Sequence, residues 1–137
     1  MGLKMSETEG TSANEAEIKV LYIEDNGSNV KLMQDIFLEF LPYTLVSAST
    51  AEEGIVLSKQ LKPDLILMDI NLHGISGHEA LKIIKADSDI SSIPVIAISA
   101  DVIPNQPDEI SENGFDDYIS KPFDLADLIK RLKQRLG

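Results

Sequence analysis

Four short apolar runs in this 137-residue chain each end in a residue able to do chemistry. Leu65-Ile66-Leu67-Met68 closes on the carboxylate Asp69, and Val20-Leu21-Tyr22-Ile23 on the acidic pair Glu24-Asp25. Val95-Ile96-Ala97-Ile98 is followed by the hydroxyl of Ser99, and Tyr118-Ile119-Ser120 by Lys121-Pro122. If these runs are neighbouring parallel strands, all four groups emerge at one edge of one sheet, where open α/β sheets place their ligand sites. Carboxylates, a hydroxyl and an ammonium gathered there suit phosphoryl transfer to an aspartate.

The segments that must position these groups follow from periodicity and punctuation. The first strand, Lys19–Ile23, leads into a helix with Val30, Met33, Phe37, Phe40 and Leu41 on one stripe, stopped by Pro42. A second strand near Thr44–Ala48 precedes Thr50-Ala51-Glu52-Glu53, which reads as a capping box with Glu53 reaching back. That helix runs to about Leu61, and Pro63-Asp64 breaks the chain before the Asp69 strand. Ser76-Gly77-His78-Glu79 is a second capping box, and Pro94 precedes the Ser99 strand. A fourth helix is expected between Ala100 and Gly114, short and loose because of Pro104 and Pro107, with Pro107, Asp108 and Glu109 in its first turn. The last helix is capped by Asp124 and carries Leu125, Leu128, Ile129, Leu132 and Leu136 on one stripe; Lys130, Arg131, Lys133 and Arg135 lie towards its C-terminal end, where cations suit the dipole. The Asp69 and Ser99 strands are continuously apolar, as strands buried on both faces are. With right-handed crossovers, five strands alternating with five helices make a doubly wound α/β sheet with helices on both sides.

Bulk composition bounds the function. The length suits one domain with a real core. A net charge of -11, of which -3 lies in residues 1–17, argues against nucleic acid as a direct partner. The absence of cysteine excludes disulfides and thiolate metal sites, and no apolar run approaches the roughly 18 residues of a membrane span. A cytoplasmic protein is expected. Residues 1–17 are polar and lack apolar periodicity, so they read as a disordered tail, native or a cloning remnant, ahead of a domain at 18–137.

Four pieces in order resemble the receiver domain of two-component response regulators, the CheY-like superfamily. They are Leu21-Tyr22-Ile23-Glu24-Asp25-Asn26, Leu65-Ile66-Leu67-Met68-Asp69-Ile70-Asn71, Ile96-Ala97-Ile98-Ser99-Ala100, and Asp116-Asp117-Tyr118-Ile119-Ser120-Lys121-Pro122-Phe123. The resemblance covers about Ile18 to Leu136 and implies a flavodoxin-like three-layer fold with strand order 2-1-3-4-5, an order the general rule for doubly wound sheets illustrates with this family. That order sets the first and third strands side by side and crowds three carboxylates into one crevice, tolerable mainly with a cation among them. Oxygen-only ligands with open positions suit Mg²⁺. The resemblance implies Asp25, Asp69 and the backbone carbonyl of Asn71 as direct ligands, with Glu24 acting through water.

Asp69 is then the expected phosphoacceptor, taking a phosphoryl group from a histidine kinase or histidine phosphotransfer protein. Lys121 neutralises developing charge, and its bond to Pro122 is expected to be cis. Ser99 is the expected switch hydroxyl. Tyr118 is the expected switch aromatic, reshaping the face of the fourth helix, fifth strand and fifth helix. The chemistry expected is self-phosphorylation and slow self-dephosphorylation, not turnover of a separate substrate.

His73 stands where the family commonly has proline and is not read as a ligand, and Asp101 adds negative charge near the site. A rival reading is a Mg²⁺-dependent phosphohydrolase with an aspartyl-phosphate intermediate, but its second carboxylate would fall at Asn71 and no cap insertion is present. The other is a degenerate receiver that only binds partners, against which the intact Glu24, Asp25, Asp69, Ser99 and Lys121 set argues. Both a stand-alone regulator and a receiver from a larger protein fit, and Tyr22-Ile23-Glu24-Asp25-Asn26 resembles receivers of hybrid histidine kinases. Homodimerisation through the fifth helix is left open by these residues.

Overall fold

The computed structural model describes residues 17–72, 74–100, 114–122 and 124–137. Within them the chain runs β1 (Lys19–Ile23), α1 (Gly27–Phe40), β2 (Thr44–Ala48), α2 (Ala51–Leu61), β3 (Leu65–Asp69), α3 (Gly77–Ala86), β4 (Val95–Ser99), β5 (Asp117–Ser120) and α4 (Leu125–Leu136). The strands form one parallel sheet in the order β2-β1-β3-β4-β5, the order expected. The helix expected between Ala100 and Gly114, with Asp101, Pro104, Pro107, Asp108 and Glu109, lies outside the described residues, as do His73, Phe123 and residues 1–16. Among the described residues no helix is long and apolar enough to cross a membrane.

Side chains alternate across the sheet and build a core on each face. Leu21, Ile23, Ile66 and Met68 pack with Leu81 and Ile84 of α3 on one side. Val20, Tyr22, Leu65, Leu67, Ile96 and Ile98 pack with Met33 and Phe37 of α1 and Leu128 and Leu132 of α4 on the other. All five residues of β3 and of β4 are buried, as central parallel strands are.

The helix starts are locally encoded. Thr50, Ser76 and Asp124 each accept an N–H bond three residues on, from Glu53, Glu79 and Asp127. Ser76 and Glu79 complete a reciprocal capping box. The Thr50 box differs from expectation: Glu53 turns back one residue further and accepts from the N–H of Ser49 at 2.8 Å. On the apolar stripes, Phe40 remains 47% and Leu125 39% exposed. At the other end of β3, α3 begins so close to the strand that a Cβ on Gly77 would lie 2.9 Å from Ile70 Cα and 3.1 Å from the Asp69 carbonyl oxygen. Only glycine fits that approach.

Candidate active site

Strand register places the reactive groups. Ile23 of β1 pairs with Met68 of β3, so the next residues, Glu24 and Asp69, leave the sheet side by side. Asp69 pairs with Ile98 of β4, and Ser99 follows it. Ser99 pairs with Ser120 of β5, after which Lys121 donates its backbone N–H to the Ser99 carbonyl at 2.9 Å. All the expected groups therefore reach the C-terminal edge of the sheet, where a parallel α/β sheet presents its crevice.

Three carboxylates meet there. One oxygen each of Glu24, Asp25 and Asp69 lies within 4.8 Å of the others. Glu24, Asp69 and Ser99 are buried, at 1%, 4% and 3% exposure, and Asp25 is half-buried. The Lys121 ammonium bridges two of them, 3.0 Å from Glu24 Oε1 and 3.2 Å from Asp69 Oδ2. The Lys121–Pro122 bond is cis, as expected. Asp69 Oδ1 accepts the Asn71 backbone N–H at 3.0 Å.

Glu24 holds most of the remaining bonds. Its Oε1 also accepts from the Tyr22 hydroxyl at 3.0 Å and Asn29 Nδ2 at 3.2 Å, and its Oε2 from the Asn26 N–H at 3.3 Å. Asn26 doubles as the N-cap of α1, its side chain accepting from the Asn29 N–H. These contacts were not anticipated in the sequence, where Tyr22 read only as part of an apolar run. The available signal was a polar-tipped aromatic two residues before a carboxylate, hence on the same strand face.

The electrostatics follow from crowding. Burial raises the Glu24 carboxyl above its ordinary value, and Asp69 adds to this, while Lys121 and Tyr22 favour its ionised form. Burial works to lower the Lys121 ammonium, but Glu24 and Asp69 outweigh it and the net shift is upward. Burial, and then the Glu24 charge, raise the Tyr22 hydroxyl far above its ordinary value, so it keeps its proton and donates. An oxygen-only pocket with excess negative charge is what a hard divalent cation fits.

The sequence matches the response regulator receiver domain family over residues 20–133. The chain belongs to this family. The polar-differentiation response regulator DivK of Brucella anthropi is 37% identical over 118 residues, covering 86% of this chain and 95% of that protein. The receiver domain of a sensor histidine kinase from Pseudomonas aeruginosa, solved with a magnesium ion coordinated in its active-site cleft, is similar at 26% identity and a TM-score of 0.77, covering 88% of this chain and 98% of that one. The phosphorylated cyanobacterial phytochrome response regulator RcpA is similar at 27% identity and a TM-score of 0.70, covering 86% and 90%.

Of the residues expected to serve this receiver domain, Glu24, Asp25, Asp69 and Lys121 converge directly. Ser99 stands buried at the end of the adjacent strand, and Asn71 contributes its N–H to Asp69. Tyr118 is buried in the core beneath α3, edge-to-face with Phe115 at 5.6 Å, and Phe115 in turn meets His78 at 5.5 Å. Receiver domains are signalling modules phosphorylated by histidine kinases or phosphotransfer proteins.

Proposed function

We propose that Asp69 accepts the phosphoryl group, from the phosphohistidine of a histidine kinase or histidine phosphotransfer protein acting in the cytoplasm. The observation that carries this reading is the setting of its carboxylate. It is buried, held from one side by Lys121 and from the other by the Asn71 N–H, within a three-carboxylate cluster. An Asp69 carboxylate oxygen attacks phosphorus in line, an O–P bond forms, the P–N bond to the donor imidazole breaks, and the imidazole leaves with the bonding pair. Positioning and charge neutralisation are the main demands of such a transfer. Lys121, already 3.2 Å from Asp69 Oδ2, supplies a positive charge beside the incoming phosphoryl oxygens.

The donor set fits Mg²⁺, with Asp25, Asp69 and the Asn71 carbonyl as ligands and Glu24 acting through water. When bound, the ion would neutralise part of the charge on the transferring group. The magnesium in the similar Pseudomonas aeruginosa receiver supports this assignment. Ser99 then hydrogen-bonds the phosphoryl oxygen, and Tyr118, buried on the α3 side of β5, responds as the switch aromatic. The chemistry is confined to the protein's own aspartate.

Intact mass after incubation with acetyl phosphate and Mg²⁺ tests the reading. A single phosphoryl adduct is expected, absent in Asp69→Asn and absent with chelator. An adduct that survives Asp69→Asn would remove Asp69 from the role.

A further inference from the structure

Within the site, the hydrogen bonding of Glu24 is lopsided. Its Oε1 takes three donors, the Tyr22 hydroxyl, Asn29 Nδ2 and Lys121 Nζ, whereas Oε2 takes the Asn26 N–H. Two of the Oε1 donors reach in from the crevice: Asn29 is half-buried and Lys121 is 22% exposed. Tyr22 alone comes from the core, fully buried between α1 and the sheet with Met33, Phe37 and Leu67.

Packing does not explain the tyrosine. The rest of β1 beyond Lys19 is aliphatic, Val20, Leu21 and Ile23, and phenylalanine would fill the same volume. A buried hydroxyl left unpaired is costly, so the group is tolerated because of its partner, and that partner is a carboxylate of the site. Lys121, by contrast, is shared with Asp69 and is the group that must follow an arriving phosphoryl oxygen. The bond from Tyr22 is the one that can stay.

We infer that Tyr22 is a positioning residue of the site: its buried hydroxyl pins Glu24 Oε1 inward and leaves Oε2 presented to a bound cation. The inference rests on the proposed cation site and adds to it a residue outside the carboxylate set. Groups that hold metal ligands from behind typically change metal affinity by about 10–100-fold when removed. Because Glu24 is itself proposed to act through water, the lower end applies.

Calorimetric titration of the whole chain with MgCl₂ tests this, on wild type, Tyr22→Phe, Glu24→Gln, the Tyr22→Phe/Glu24→Gln double variant, and Tyr43→Phe as a tyrosine elsewhere. Metal-free thermal melts run alongside establish that each variant is folded. Tyr22→Phe is expected to raise the Mg²⁺ Kd about tenfold, and Tyr43→Phe to leave it at the wild-type value. In the Glu24→Gln background, Tyr22→Phe is expected to add nothing, because its effect passes through Glu24. Wild-type affinity in Tyr22→Phe, or an equal loss in both backgrounds, overturns the inference while leaving the cation site standing. No Mg²⁺ binding by the wild type overturns the site and the inference together.

Discussion

Lys121 stands between two buried carboxylates, and magnitudes decide what that arrangement does for the fold. Exposed ion pairs contribute about 0–1 kcal/mol, whereas leaving a buried charge without its partner costs about 3–5 kcal/mol. Both partners of Lys121 are buried, but its own side chain keeps 22% of its exposure, so water screens part of the interaction. Lys121→Ala is therefore expected to lower the metal-free unfolding free energy by about 1–3 kcal/mol, below the fully buried figure. Urea denaturation in chelator checks this, and Mg²⁺ is expected to return part of the loss by supplying positive charge to the same carboxylates. A variant as stable as wild type without metal would mean that the carboxylates find compensation elsewhere.

At the scale of elements, the site is a consequence of where strands stop and how tightly helices start. Gly77 opens α3 against the end of β3, where a Cβ would meet backbone atoms of Ile70 and Asp69 that cannot rotate away. Gly77→Ala must push α3 off the strand end, and overpacking of this kind costs about 1–3 kcal/mol, which a urea midpoint would register. An unchanged midpoint would show that the approach relaxes without strain. These elements were largely legible in the sequence, because each boundary carries its own chemistry: Pro42, Pro63 and Pro94 separate the segments, and Thr50, Ser76 and Asp124 cap helices as expected. Periodicity alone did not give burial. Phe40 and Leu125 lie on apolar stripes yet remain 47% and 39% exposed, because a stripe fixes which residues share a helix face and not how far the neighbouring surface extends. The chemistry-bearing ends of the strands could be read from residue type. The bonds of Tyr22 and Asn29 to Glu24 could not, since they depend on side-chain directions that only the packed sheet and α1 define.

At the scale of the whole molecule, the crowded edge links stability, pH and cation. The Glu24 carboxyl is raised by burial first and by Asp69 second. A carboxyl raised in the folded state contributes stability that is complete below its ordinary value, near 4.5, and is lost as pH rises through the raised one. Lys121, also raised, contributes below its ordinary value of 10.5 and loses that contribution only in the alkaline range. Tyr22 stays protonated throughout. As pH rises through that raised value, the metal-free protein comes to carry an ionised, buried Glu24 at a cost. A cation that binds only the folded state stabilises it by about 2.7 kcal/mol at a hundred times its Kd, and protons compete with it for the same oxygens. The rise in melting temperature on adding saturating Mg²⁺, measured against chelator, should accordingly be larger at about pH 8 than at about pH 5.5. Taking the difference at each pH cancels ionisations remote from the site, among them the exposed carboxylates behind the net charge of -11. An equal or larger rise at the lower pH would mean that the ion is not competing with protons for these carboxylates, and the cation would have to be placed elsewhere.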